Sequence, residues 1–308
     1  MRPLRIGTRA SALARRQAES VRSQLAGLGV SAELVLIRTS GDRDGEAPLR
    51  AMGGKGIFIK ELEDALLESR VDLAVHSMKD VPTELPSGLT IAAYCERADV
   101  RDALVSRGAL LFEHLPAGAR VGTGSLRRRA QLLLRRPDLQ MVELRGNVDT
   151  RLAKVARGDC DAIVLAKAGL DRLQMADRIT EVLPTDLCLP AAGQGAIGIE
   201  ARANNDVLEA LRRLNHVETQ IAVESERTVL AALEGGCQVP IGVWARQEGR
   251  EFVIEACVLA ADASESLRTR RAGLSRDAED LARRVAAALL DSGADRILRS
   301  SGRAVGGR

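Results

Sequence analysis

Three features of the sequence carry residue types that can do chemistry: a cysteine, an aspartate and a run of arginines. Cys237 follows Gly235 and Gly236 and precedes Pro240, between an expected helix and an expected strand. Glycine permits backbone angles that cost other residues energy, and proline fixes the direction in which the chain leaves the turn. The turn therefore holds one sulfur atom in a defined place, either as a buried thiol or as a nucleophile.

Asp80 lies in the segment from His76 to Pro82, just after a short apolar run that reads as a strand. Taken alone, an aspartate in this position is more typical of a helix cap. As a functional group, a carboxylate beyond the carboxyl end of a strand lies where open α/β sheets bind their ligands. It can stabilise positive charge that develops during a reaction.

Eight arginines fall within one stretch of the sequence, although the whole chain carries 45 basic and 42 acidic residues and a net charge of only +3. Solvated helix faces would explain them, but so would a pocket for several carboxylates, because the planar guanidinium binds a carboxylate through two hydrogen bonds. The eight are Arg127, Arg128, Arg129, Arg135, Arg136, Arg145, Arg151 and Arg157.

Composition excludes several classes of protein. Five cysteines and three histidines show no paired metal-ligand spacing and no disulfide framework, so no metal site is expected. Aromatic residues make up 2% of the chain, which disfavours binding of nucleic acid by base stacking. The N-terminus lacks an apolar signal region and no stretch reaches the length of a membrane span. We therefore expect a cytoplasmic protein that binds no membrane and no nucleic acid.

Alternating strand and helix patterns predict an α/β fold with parallel sheets, in two or three domains. Ser11 is expected to cap a helix that runs to about Leu28, and Leu73–His76 is expected to be the strand before Asp80. The segment 38–56 lacks periodicity and reads as a lid or a binding loop. The tail from Arg299 to Arg308 is rich in glycine and arginine and is expected to be disordered.

Seven segments along nearly the whole chain resemble, in order, those of the porphobilinogen deaminase (hydroxymethylbilane synthase) family. They contain Arg5–Arg9, Gly54–Phe58, His76–Pro82, Gly122–Arg128, Arg145–Arg151, Leu189–Gly195 and Leu233–Gly242. The resemblance implies three domains, two like the lobes of periplasmic binding proteins and a smaller one that carries Cys237. The implied boundaries are 1–96 with 196–214, then 101–190, then 218–308.

The resemblance also implies an activity, a cofactor and roles for individual residues. The family condenses four porphobilinogen molecules head to tail, releases ammonia, and frees a linear tetrapyrrole by hydrolysis. Asp80 is then the catalytic carboxylate, and Cys237 holds a dipyrromethane cofactor through a thioether. The cofactor's carboxylates are bound by Lys79, Thr123, Ser125, Arg127 and Arg128. Substrate and growing chain are bound by Arg9, Ser11, Lys55, Phe58, Arg145, Arg151 and Arg172. The family also implies a monomer.

The sequence departs from the family's pattern at two places. Gly124 stands where many relatives carry serine, and Lys167 stands where small or apolar residues are frequent.

Two other interpretations of the function stay open. A two-lobed binding protein for a small anion would share the fold and the arginines, without needing the Cys237 turn. A nucleic-acid-binding protein would use the arginines alone, with steeply salt-dependent affinity.

Overall fold

The computed structural model describes residues 2–38, 59–204, 207–233 and 239–304, with side chains described as far as residue 300. Lys55, Phe58 and Cys237, together with most of the predicted loop 38–56, lie outside these ranges. The structure divides into two compact units: unit 1 is Met1–Ala98 with Gly195–Gln220, and unit 2 is Asp99–Gln194 with Ile221–Arg308.

The strands and helices of the described residues follow in chain order. The strands are β1 (Leu4–Arg9), β2 (Ala32–Ile37), β3 (Leu73–Ser77), β4 (Leu89–Tyr94), β5 (Asp102–Ser106), β6 (Arg120–Gly122), β7 (Gln140–Val142), β8 (Ala162–Ala166), β9 (Glu181–Val182), β10 (Ile197–Arg202), β11 (Ile241–Glu248), β12 (Glu251–Leu259) and β13 (Ser266–Gly273). The helices are α1 (Ala12–Gly27), α2 (Lys60–Leu67), α3 (Leu126–Arg135), α4 (Val148–Arg157), α5 (Lys167–Arg172), α6 (Leu208–Arg212), α7 (Val217–Ala232), α8 (Ala278–Asp291) and α9 (Ala294–Ala304).

Unit 1 is built on a five-stranded sheet in the order β2-β1-β3-β10-β4. Strands β1, β2 and β3 are parallel, whereas β10 is antiparallel to both of its neighbours. Helix α1 buries Ala18, Val21 and Leu25 in the same cluster as Ile6 and Leu73 of the sheet. As predicted, the Ser11 side chain caps α1 by accepting a hydrogen bond from the Ala14 amide.

Unit 2 contains a second five-stranded sheet, in the order β7-β6-β8-β5-β9. It repeats the arrangement of the first sheet, because β6, β7 and β8 are parallel and the next strand, β5, is antiparallel. A separate antiparallel sheet, β11-β12-β13, packs one face against α8 and α9. These sheets confirm the predicted α/β fold with two related lobes and a further α/β part. Unit 2 includes both of the later predicted domains, and the boundary between them stays a prediction.

Two expectations about the elements were wrong. Neither five-stranded sheet is wholly parallel, since β5 and β10 run against their neighbours, and periodicity within a segment does not encode the direction of its pairing. The tail was expected to be disordered from Arg299, but α9 continues to Ala304. Ala294 and Ile297 are buried in the cluster beneath the third sheet, so packing at its start stabilises a helix that composition disfavours.

Candidate active site

Asp80 lies just beyond the carboxyl end of β3, where the sequence predicted it. One turn of 3₁₀ helix, Met78–Asp80, follows the strand, and the Val81 amide closes it by donating to the Met78 carbonyl. Met78 is buried and anchors this turn, whereas Asp80 is exposed and Lys79 is partly buried. The turn thus presents a carboxylate to solvent on a fixed piece of backbone.

Arg9 and Ser11 belong to the same edge of the first sheet as Asp80. Strand β1 pairs with β3 in parallel, with Ile6 opposite Leu73 and Gly7 opposite Ala74. The carboxyl end of β1, at Arg9, therefore meets the carboxyl end of β3. Unit 1 brings together four of the predicted site residues: Arg9, Ser11, Lys79 and Asp80.

The predicted site residues of unit 2 also follow the carboxyl ends of parallel strands. Thr123 and Ser125 come after β6, Arg145 comes after β7, and Arg172 ends the short helix that follows β8. Arg145, Arg151 and Arg172 are each partly buried. Arg145 contacts Glu143 at 2.5 Å, and the Arg151 Nε donates to the Gly146 carbonyl at 2.8 Å. One edge of this sheet therefore gathers hydroxyl groups and guanidiniums.

Ser125 fixes the start of α3, which carries the arginine run. Its hydroxyl accepts a hydrogen bond from the Arg128 amide, and its own amide donates to the Thr123 hydroxyl. A helix start offers unpaired N–H groups and partial positive charge, which favour an anion. Serine is a preferred helix-capping residue, so its position shortly after β6 accounts for the start of α3 here.

Arg127 and Arg128 are both buried, and both bind the carboxylate of Asp102. Arg127 Nη1 lies 2.8 Å from Asp102 Oδ2, and Arg128 Nη2 lies 2.7 Å from Asp102 Oδ1. Burial on its own would raise the pKa of Asp102, but the charges of Arg127 and Arg128 outweigh it and hold that pKa far below its usual range. Asp102 stays ionised, so these three side chains carry a net charge of +1.

Sequence reasoning missed Asp102. The one signal was an acidic residue at the head of the otherwise apolar run Asp102–Val105. Buried charges are retained only when they are paired, so an acid in a buried strand points to a partner elsewhere in the chain. The sequence alone does not identify that partner, since Arg127 is 25 residues away.

The residues around this cluster fit a group that carries carboxylates. Arg127 Nε is buried and has no hydrogen-bond partner among the described residues. An unmet donor beside an excess positive charge and a helix start calls for an anionic oxygen. Thr123, Ser125, Arg127 and Arg128 would hold such a group at this end of α3.

The four cysteines of the described residues are buried thiols. Burial raises the pKa of Cys188 to about 12 and that of Cys257 to about 11. A thiol must ionise to act as a nucleophile, so neither is suited to that role at neutral pH. The described residues also contain no group of three or more His, Cys, Asp or Glu side chains that could hold a metal ion. Cys237 lies outside them.

A second buried set of ionisable groups lies in unit 1, and sequence reasoning missed this one as well. His76 Nε2 of β3 lies 2.9 Å from Glu200 Oε2 of β10, and both side chains are almost wholly buried. Glu63 of α2 is also buried, and burial, with the nearby charge of Glu200, raises its pKa to about 7. His76 and Glu200 are 124 residues apart in sequence, and the β3–β10 pairing brings them together.

The structure accounts for both departures from the family's pattern. A Cβ atom on Gly124 would come within 2.9 Å of the Leu144 carbonyl oxygen, so glycine permits the observed approach of the two backbone segments. Lys167 is an ion-pair partner: its Nζ lies 2.7 Å from Asp171 and 3.9 Å from Asp99.

Comparison with known proteins gives matches along almost the whole chain. Residues 4–210 match the family described as porphobilinogen deaminase, dipyromethane cofactor binding domain, and residues 220–291 match its C-terminal domain. The porphobilinogen deaminase of Trichlorobacter lovleyi is 48% identical over 298 residues, covering 96% of this chain and 95% of that protein. That of Desulforudis audaxviator is 50% identical over 296 residues, covering 95% of this chain and 96% of that protein.

Among solved structures, the methionine-binding protein MetQ is 14% identical, with a TM-score of 0.43 over 72% of this chain and 91% of that one. The family and sequence matches, by contrast, define an α/β transferase with a dipyrromethane-binding domain. The chain belongs to the porphobilinogen deaminase family. Its activity is that of a hydroxymethylbilane synthase in tetrapyrrole biosynthesis, and the predicted activity and cofactor are confirmed.

Proposed function

We propose that Asp80 is the catalytic carboxylate for the stepwise condensation of four porphobilinogen molecules. The observation that carries this assignment is the exposed position of Asp80 beyond β3, on the strand edge it shares with Arg9. In each step a C–N bond of the substrate breaks and ammonia leaves. A new C–C bond forms to the terminal pyrrole of the growing chain, which loses a proton.

The proposed role of Asp80 follows from the charge that this reaction develops. Loss of ammonia leaves a cationic pyrrole, and an ionised carboxylate stabilises that charge. The carboxylate can also accept a hydrogen bond from the pyrrole N–H. The same carboxylate can take up the proton that the terminal ring loses. The backbone of the 3₁₀ turn holds Asp80 in place. The position of this residue is therefore already set before each condensation step.

The arginines are proposed to bind the carboxylates of substrate and product. Each porphobilinogen unit brings two carboxylates, so a site that handles several units needs many cations. Arg145, Arg151 and Arg172 follow strand ends of unit 2, and Arg9 is the last residue of a strand of unit 1. We assign the incoming pyrrole and the growing chain to these four residues with Ser11, Lys55 and Phe58.

Cys237 is proposed as the attachment point of the cofactor, with Lys79, Thr123, Ser125, Arg127 and Arg128 as its carboxylate ligands. When bound, dipyrromethane supplies the pyrrole end from which the product grows. The proposal is supported by the burial of the other four cysteines and by the excess positive charge around Arg127.

The described residues form no helix that is both long and apolar enough to span a lipid bilayer. We further propose a monomer that acts in the cytoplasm on porphobilinogen and binds no nucleic acid. The near balance of 45 basic and 42 acidic residues supports the last point, because a polyanion-binding protein is usually strongly basic.

The intact mass of the purified protein tests the attachment, in the natural chain and in Cys237→Ser. We expect the natural chain to carry the added mass of two linked porphobilinogen-derived pyrroles and Cys237→Ser to lack it. Cys160→Ser, which removes a buried thiol, is the matched control and should carry the same added mass as the natural chain. If the natural chain gains no mass after incubation with porphobilinogen, the proposed attachment is wrong.

A further inference from the structure

The carboxylate of Asp102 is the hub of a buried hydrogen-bond network in unit 2. Oδ2 accepts from Arg127 Nη1 at 2.8 Å and from the Cys188 thiol at 3.3 Å. Oδ1 accepts from Arg128 Nε at 3.0 Å, Arg128 Nη2 at 2.7 Å and Gln194 Nε2 at 2.9 Å. Asp102 is fully buried, so water does not compete for these contacts.

Backbone carbonyl groups complete the orientation of the two guanidiniums. Arg127 Nη1 also donates to the Leu189 carbonyl at 2.7 Å, and Arg128 Nη1 donates to the Val164 carbonyl at 3.1 Å. Each guanidinium therefore has two fixed acceptors, one of which is the same carboxylate. A planar group bound at two points has little rotational freedom left.

The network carries an unbalanced positive charge and a hydrogen-bond donor without an acceptor among the described residues. Two guanidiniums face one carboxylate, and Arg127 Nε has no hydrogen-bond partner among the described residues. The thiol of Cys188 adds no charge, because burial keeps it protonated. The cluster is thus preorganised to attract one further anionic oxygen, and Asp102 sets the plane in which the donors are presented.

From this geometry we infer that Asp102 is a positioning residue, which orients Arg127 and Arg128 and so sets the rate at which the chain takes up its dipyrromethane. The inference rests on the proposed roles of Arg127, Arg128 and Cys237. Asp102 itself is enclosed by its protein partners and touches no substrate.

Gln194 connects the same carboxylate to a second segment of the chain. Its Nε2 donates to the Val100 carbonyl at 2.8 Å as well as to Asp102. Residues 99 and 194 are the points at which the chain enters and leaves the first segment of unit 2. Asp102 therefore holds both ends of that segment as well as the two arginines.

The test measures uptake of the two-pyrrole mass by protein prepared without porphobilinogen and then mixed with it. Asp102→Asn keeps the size of the side chain but turns one acceptor into a donor that faces the arginines. Asp102→Glu keeps the charge but moves the carboxylate by one methylene. We expect both variants to load at least about tenfold more slowly than the natural chain, at a temperature where circular dichroism shows each of them folded.

Two control variants separate positioning from a general loss of stability. Val285→Ala creates a cavity in α8, under the third sheet, and lowers the melting temperature without touching the arginines. Asp138→Asn removes a surface partner of Arg136, at the other end of α3 from Arg127 and Arg128. Both should load at the natural rate, because neither alters the Asp102 network.

Loading of folded Asp102→Asn within about threefold of the natural rate would overturn the inference. If Asp102→Asn does not fold, Asp102→Glu decides: a folded Asp102→Glu that loads at the natural rate would overturn it, and slow loading supports it. A natural chain that gains no mass at all would overturn the proposed attachment and this inference together. Normal loading of the natural chain beside equally fast Asp102 variants would overturn this inference alone.

Discussion

At the scale of single residues, three carboxyl groups of this chain lie in three different electrostatic environments. Asp80 is exposed at the end of a strand, Asp102 is buried between two guanidiniums, and Glu63 is buried near a second carboxylate. A carboxylate can act on a cationic substrate only where the substrate reaches it and where no guanidinium already neutralises it. The exposure of Asp80 thus supports its proposed catalytic role.

Asp80→Asn should lower turnover by about 10² to 10⁴-fold, because the neutral amide neither stabilises a cation nor accepts a proton. Since Asp80 is exposed, we expect the fold to be retained. Turnover is measured as hydroxymethylbilane formed per loaded chain, so that a change in cofactor content does not enter. Glu84→Gln, an exposed carboxyl group a few residues away, is the control. Near-normal turnover by Asp80→Asn would remove Asp80 from the mechanism.

Glu63 makes stability depend on pH in a defined direction. Burial, with Glu200 nearby, raises its pKa to about 7 in the folded chain, against about 4.3 for an unfolded one. The unfolded chain therefore releases this proton more readily. The contribution of Glu63 to the free energy of unfolding is fully present below about pH 4 and is lost as pH rises through about 7.

Glu63→Gln should therefore be more stable than the natural chain at pH 8, by about 1 to 3 kcal/mol, and the difference should shrink towards pH 5. Urea unfolding at the two pH values measures it. Glu209→Gln, which changes an exposed residue of α6, should show no such pH dependence. Equal differences for Glu63→Gln at both pH values would contradict the assignment.

At the scale of elements, the ends of parallel strands position the candidate site. In unit 1, Arg9 ends β1 and Asp80 follows β3. In unit 2, the segments after β6, β7 and β8 carry Ser125, Arg145 and Arg172. Within unit 2, the segments after β6 and β7 approach each other closely at Gly124, where a Cβ atom would lie 2.9 Å from the Leu144 carbonyl oxygen. Glycine at position 124 thus leaves room for the Leu144 backbone.

Gly124→Ser should destabilise this chain by about 1 to 3 kcal/mol, because the Leu144 backbone has to move to admit the new side chain. The free energy of unfolding in urea measures the effect. Gly27→Ser is the control, since a Cβ atom there meets no other atom within 4 Å. If Gly124→Ser costs no more than Gly27→Ser, the close approach does not constrain residue 124.

At the scale of the whole molecule, the chain crosses between its two compact units three times, near Ala98, near Gln194 and near Gln220. We predict that the segments 97–102 and 189–193 act as hinges that make room for the growing product. We expect their amide hydrogen exchange to change between chains that carry different numbers of pyrroles, because hinge residues absorb the change in backbone angles. Exchange in the interior of β12 is the internal reference. Unchanged exchange in both segments across the loaded states would reject the hinges.

The sequence by itself determined the family, the α/β class and where the candidate residues lie along the chain. It predicted the start of α1 at Ser11 and the place of Asp80 after β3, because caps and hydrophobic periodicity act over a few residues. The motifs that identified the family are local in the same sense.

Only the tertiary structure decided which distant segments meet. The antiparallel directions of β5 and β10, the His76–Glu200 contact and the network around Asp102 each join residues far apart in sequence. The helix α9 also forms because Ala294 and Ile297 pack in a core, although its composition suggested disorder. Pairing direction and the burial of charge are set by contacts between segments, which no pattern within one segment encodes.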